Sequence, residues 1–384
     1  MNHRIPRILA MGLLALTAFA LCSGCGGLIA ISHSNKAARH IQSGEYEAAI
    51  AEGTKAIELS PGSYYAYTNR GMAYTYARRY DLALEDLRKA IALEPEDAPS
   101  HVQYVRLLVF MRREQEAAAH AEAFLRTHPD SAILNIGLAM ALERRKDYAR
   151  AYEAVSRAVA LLESGANPGE LRFVASKEGV FAVADGIKAV LAARLGRKDE
   201  ASRLIEKALN IRNDFETRYW RASIYYIEGS WEKALQVLRE ADARAQGAEK
   251  DSMVGVESRF LLGQCYQQLG KWREAQGAYE EFIAANPREK EAFSNLGLVK
   301  AKLGDSDSAV TSFSKALELD PKFLDARRNR GTEYLRQKRY DSAIEDFSAV
   351  LAEDGNDACL LHERAAEAGH EGSSRGSSHR AEER

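Results

Sequence analysis

The sequence predicts an all-α fold, a solenoid of about nine stacked helix pairs finished by a C-terminal capping helix. Three observations carry that expectation. The chain repeats itself with a period of 34 residues: Tyr67, Gly71, Tyr74, Tyr80, Ala83, Leu87, Ala90 and Pro95 recur as Phe293, Leu296, Gly297, Gly304, Ala309, Phe313, Ala316 and Pro321, with the same spacings wherever both copies match. A small residue anchors the second helix of every unit, at Ala49, Ala83, Ala117, Ala151, Ala201, Ala234, Ala275, Ala309 and Ala343, in steps of 34, 34, 34, 50, 33, 41, 34 and 34. Five of the eight prolines, Pro61, Pro95, Pro129, Pro287 and Pro321, stand at the unit boundary, where the chain must leave one helix and turn.

Packing explains the spacing. Gly71, Gly297 and Gly331 on first helices, facing Ala83, Ala309 and Ala343 on second helices, let two backbones approach closely, while Tyr74, Tyr80, Leu87 and Phe313 fill the grooves on either side. These residues resemble the tetratricopeptide repeat (TPR) family, whose unit is two antiparallel helices. The resemblance implies a right-handed superhelical solenoid that binds protein segments in a concave groove lined by set first-helix positions. Carried over by register, those positions are Tyr65, Thr68, Met72 and Tyr76 in repeat two, Val102, Arg106 and Phe110 in repeat three, and Ile136 and Met140 in repeat four. They continue as Tyr219 and Tyr226 in repeat six and Phe260 and Gln264 in repeat seven. The family's carboxylate clamp is matched only at its asparagine (Asn69, Asn295, Asn329); Ser34, Ala38, Thr332 and Cys359 do not supply its other residues.

Taken in order, residues 1–24 have the three parts of a secretory signal: Arg4 and Arg7, then uncharged Ile8 to Leu21, then small residues. Leu21-Cys22-Ser23-Gly24-Cys25 resembles a bacterial lipoprotein cleavage box, which implies lipidation of Cys25 and a short tether at 25–29. Cys22 departs from the family's usual leucine. Ala18-Phe19-Ala20 offers a cleavage site that would release the chain instead, and Ile8 to Ser32 is long enough for an uncleaved anchor, although Gly24, Gly26 and Gly27 are poor helix interior. Repeats one to four occupy 30–165, an insert 166–181, repeats five and six 182–248, and repeats seven to nine 249–357. His33, Lys36 and His40, at usually apolar positions of the first helix, read as a terminal cap. The insert includes Asn167-Pro168-Gly169 and a helical stretch from Glu170; a second extension falls near Gln246 to Ser252. A capping helix is expected at 358–368 and a disordered tail at 369–384.

Composition excludes other classes. The formal charge is -2, or -4 without residues 1–24, so there is no basic stripe for nucleic acid. Cys265 and Cys359 fall three repeats apart, too far for a disulfide. Gly263 and Gly270-Lys271 miss the phosphate-loop spacing, His362-Glu363 lacks the second histidine of a zinc-protease motif, and His33 and His40 are seven residues apart on one face. No catalytic residue, metal or cofactor is therefore expected, and no small-molecule substrate. Arg70, Arg221 and Arg330 recur at one first-helix position and suggest repeat-to-repeat salt bridges with Asp81, Glu232 and Asp341. The expectation is a non-enzymatic scaffold for unidentified protein partners, held at a bacterial envelope membrane and facing the periplasm; the alternative is an accessory subunit of an enzyme or assembly complex acting through the insert.

Overall fold

The computed structural model describes residues 27–165, 177–245 and 248–353. Its helices come in pairs. The first pair is α1 (27–42) and α2 (Tyr46–Leu59). Next come α3 (Tyr64–Tyr76) with α4 (Tyr80–Leu93), α5 (Ala98–Phe110) with α6 (Glu114–Thr127), and α7 (Ala132–Arg144) with α8 (Tyr148–Ser164). They are followed by α9 (Lys177–Arg194) with α10 (Lys198–Ile211) and α11 (Phe215–Ile227) with α12 (Trp231–Arg244). A short α13 (Ala248–Asp251) precedes α14 (Met253–Gln268) with α15 (Trp272–Ala285), α16 (Lys290–Lys302) with α17 (Ser306–Leu319), and α18 (Leu324–Arg336) with α19 (Tyr340–Glu353).

The turn inside each pair fixes the register independently of the anchor alanines. One residue there takes a left-handed backbone: Gly44, Arg78, Arg112, Lys146, Gly196, Gly229, Gly270, Gly304 and Lys338. Every one lies five residues before an anchor alanine, so the two series share the same steps. All nine anchor alanines are completely buried. Three first helices start on side-chain caps: Ser63, Asp97 and Ser131 accept from the backbone N–H of Ala66, Ser100 and Leu134.

Two compact units divide the chain, one of Met1–Ile224 with Arg244–Met253, the other of Tyr225–Ala243 with Val254–Arg384. In the first, α7 is buried nearly all round, by Ile133, Leu134, Ile136, Leu138 and Leu142, because α5, α6, α8 and α9 all pack on it. In the second, phenylalanine and tyrosine rings lie flat against first-helix glycines. A Cβ on Gly297 would stand 2.6 Å from Phe313, one on Gly331 2.6 Å from Phe347, and one on Gly263 2.6 Å from Tyr279.

Helix α9 covers Lys177–Arg194, so its first residues fall within the expected 166–181 insert, where the sequence reads as helical from Glu170. Helix α1 is described from residue 27, within the expected 25–29 tether. The signal segment, Cys25, the rest of the insert, the capping helix and the tail lie outside the described residues. Among those described, no helix is long and apolar enough to cross a membrane.

Candidate partner-binding surface

The first-helix positions picked out by register fall into two groups. Tyr65, Met72 and Tyr76 on α3, Val102 and Arg106 on α5, Met140 on α7 and Tyr219 on α11 are half-buried in the first unit. Tyr226, Phe260 and Gln264 are half-buried in the second. Thr68, Phe110 and Ile136 are not part of the surface, a correction to the register-based set, since they are 5, 6 and 7% exposed. Thr68 faces the next repeat, its hydroxyl 2.6 Å from Ser100 Oγ while donating to the Tyr64 carbonyl. Phe110 packs its ring on Tyr80, with centroids 5.4 Å apart. Ile136 belongs to the helix that its neighbours enclose. Two half-buried rings are also engaged: Tyr76 stacks on Tyr46 at 5.4 Å, and Phe260 tilts against Tyr279 and Phe282.

The polar element of the first unit's surface is a charge cluster that sequence reading missed. Burial raises the Glu216 carboxyl on α11, with the Arg106 and Arg212 guanidinium groups opposing that shift. Arg106 of repeat three and Glu216 of repeat six therefore share one electrostatic neighbourhood, although 110 residues separate them. Arg212 also pairs with Asp214 and stands 3.8 Å from Glu216. Burial pushes Asp214 up, but the Thr217 N–H, which donates to its Oδ1, and Arg212 outweigh it and leave the carboxyl below its ordinary range. In sequence, Glu216 looks like an ordinary acid in the first turn of a helix, where the macrodipole favours it.

The recurring arginines hold the stack together, but not through the acids the sequence suggested. Arg70 donates Nε and Nη2 to the two carboxylate oxygens of Asp86, both at 2.8 Å, and Nη1 to Thr54 Oγ1 of the preceding repeat. Arg330 repeats this with Asp346 and Ser314. Arg221 pairs with Glu206 of the preceding repeat. For Arg70 and Arg330 the partner acid sits sixteen residues on, along the second helix, rather than at its exposed start, where Asp81 and Asp341 lie. A buried carboxylate such as Asp86 needs that two-pronged guanidinium, whereas a solvated one does not.

Repeat three carries histidines where aromatic residues are usual. His101 Nδ1 lies 2.9 Å from His120 Nε2, and His101 Nε2 lies 3.0 Å from the Pro95 carbonyl. Nε2 must donate to that carbonyl, so in the neutral ring Nδ1 accepts from His120. Burial, with His120 adding to it, pushes His101 down to about 4. No group of three or more His, Cys, Asp or Glu side chains suited to a metal occurs among the described residues.

Family models described as "Tetratricopeptide repeat" match residues 105–169, 260–305 and 295–358, and residues 64–97. One described as "Anaphase-promoting complex, cyclosome, subunit 3" matches 195–282. Hsp70-Hsp90 organizing protein 2 of Arabidopsis thaliana is 30% identical over 34% of this chain and 23% of its own length. Human DnaJ homolog subfamily C member 7 is 24% identical over 74% of this chain and 66% of its own. The chain thus spans less than two thirds of either relative. The crystal structure of the APC/C hetero-tetramer Cut9-Hcn1 superposes with a TM-score of 0.58 at 16% identity, covering 82% of this chain and 59% of that one, a likeness of fold.

Proposed function

Since the chain belongs to the tetratricopeptide repeat family, we propose that it is a non-catalytic scaffold that binds protein segments on its first-helix face and is tethered to a bacterial envelope membrane through Cys25. One observation carries the binding reading. In a closed helix stack, large apolar side chains go inside, yet Tyr65, Met72, Val102 and Met140 remain half-exposed on successive first helices of one unit. A run of that kind supplies anchors for a partner, because buried aromatic and aliphatic contacts dominate binding energy.

The names of the Hsp70-Hsp90 organizing relatives raise the reading that a chaperone tail is the ligand. The side chains favour other partners. Asn69, which matches the clamp asparagine, already donates its amide to the Ser34 carbonyl at 3.1 Å and is buried.

The test is affinity capture from bacterial envelope extracts with the full chain and with Tyr65→Ala/Met72→Ala/Met140→Ala. The triple variant should keep its helical circular dichroism and lose the protein that the parent retains. Retention of that protein by the variant places the binding surface elsewhere.

A further inference from the structure

Eight large apolar side chains are exposed among the described residues, and they are not evenly spread. Leu59, Leu82, Ile211, Leu303 and Leu319 stand singly, each 37 to 44% exposed. Leu28, Ile29 and Ile31 stand together in the first turn of α1 and are 71, 48 and 53% exposed. Isolated apolar residues at a surface are ordinary; a cluster at the open end of a helix stack is not, because terminal repeats need a polar outer face.

The helical wheel separates this cluster from the core. Ala30, Ser34 and Ala37, at 2, 1 and 0% exposure, form the stripe that packs inward, and Ile41 continues it against Ala49, Ile50 and Ala73. Leu28 lies on the opposite side of the helix, and Ile31 and Ile29 lie on its two flanks. The same outward side then changes character along the axis: after Ile31 it is made of Ser32, Asn35, Lys36 and Arg39, all exposed. At 1.5 Å per residue the apolar part is ~5 Å long, and Lys36 and Arg39 stand ~12 and ~16 Å from Leu28. Apolar side chains at a bilayer interface are buried at the boundary of headgroups and acyl chains, and lysine and arginine favour the level of anionic headgroups.

What precedes α1 selects the occupant. Cys25 is three residues before Leu28, and the uncharged stretch from Ile8 to Leu21 lies before that. An acyl chain on Cys25, or an uncleaved span, delivers this turn to the bilayer. We propose that the first turn of α1, through Leu28, Ile29 and Ile31, is bedded in the surface of an anionic bilayer, with Lys36 and Arg39 at the headgroups, so that the helix stack starts on the membrane and not at the end of a slack tether. This rests on the reading that the chain is membrane-anchored, and it makes the orientation of α1 a property of the lipid surface.

The experiment uses the full chain, purified from bacterial membranes and reconstituted into vesicles of phosphatidylethanolamine and phosphatidylglycerol. Ile29→Trp and Asn35→Trp are compared with the parent, whose three tryptophans supply the background. Both positions are exposed, so neither change disturbs the core. With acyl chains brominated, the emission added by Ile29→Trp should be blue-shifted and lost, while that added by Asn35→Trp persists. If the protein floats with the vesicles but the Ile29→Trp emission survives, the docking is wrong and the anchor stands. Emission that survives in bilayer and shifts only as protein concentration rises assigns the turn to a second copy of the chain, and also overturns the proposal. If the parent does not float and Cys25→Ser behaves identically, the anchor itself is wrong, and the docking falls with it.

Discussion

Gly297 has no room for even one methyl group: its Cβ would stand 2.6 Å from the Phe313 ring, within a hairpin whose anchor, Ala309, is fully buried. Gly277, in the exposed face of α15, has nothing within 4 Å of the same atom. The pair makes a matched test by thermal denaturation. Gly297→Ala should destabilise by about 1 to 3 kcal/mol through overpacking, whereas Gly277→Ala should stabilise by about 0.5 to 1 kcal/mol through helix propensity. His101 yields a pH prediction. Its folded-state value lies near 4, below the ordinary 6.5, so the unfolded chain binds the extra proton first as pH falls. Stability contributed by the neutral side chain is whole above pH 6.5 and is lost toward pH 4, by about 2 to 3 kcal/mol. His101→Phe should remove most of the loss that melting curves show between pH 7 and 5; an unchanged slope would assign it to other groups. Small and aromatic residues at fixed spacing made the close approaches legible in the sequence. The arginine partners were not legible, because periodicity gives the face of a helix a side chain leaves from, and not how far a long one reaches.

At the scale of elements, the pair turn is the most regular feature after the alanines. Five of its nine left-handed positions are glycine and four are Arg78, Arg112, Lys146 and Lys338, with φ of 59 to 62°. An L side chain there costs about 1 kcal/mol or more. Lys338→Gly should therefore raise the denaturant midpoint, by a gain of roughly 0.5 to 1 kcal/mol. A lowered midpoint would mean that the lysine makes compensating contacts in the native turn. Helix pairs, their order and the stretched junctions could all be read from the repeat. Which first helices keep an exposed face could not: α7 is buried nearly all round while α3 keeps Tyr65, Met72 and Tyr76 half-buried, and that depends on how successive pairs rotate, which no single repeat encodes. Thr68, Phe110 and Ile136 were misplaced for this reason.

At the scale of the whole molecule, the proposed function joins an apolar first-helix surface to an N-terminal membrane tether. Membership of the repeat family fixes the fold, and the side chains that fill its positions set what can bind. The family's clamp is incomplete here, and its asparagine is spent on a backbone carbonyl. In its place the first unit offers tyrosine, methionine and valine. The most direct measurement of the central claim is hydrogen exchange by mass spectrometry on the full chain, alone and saturated with the captured partner. The account predicts slowed exchange in Tyr64–Tyr76, Ala98–Phe110 and Phe215–Ile227, with α4, α6 and α10 unchanged. Slowing confined to those second helices, with no change in the first, would contradict it.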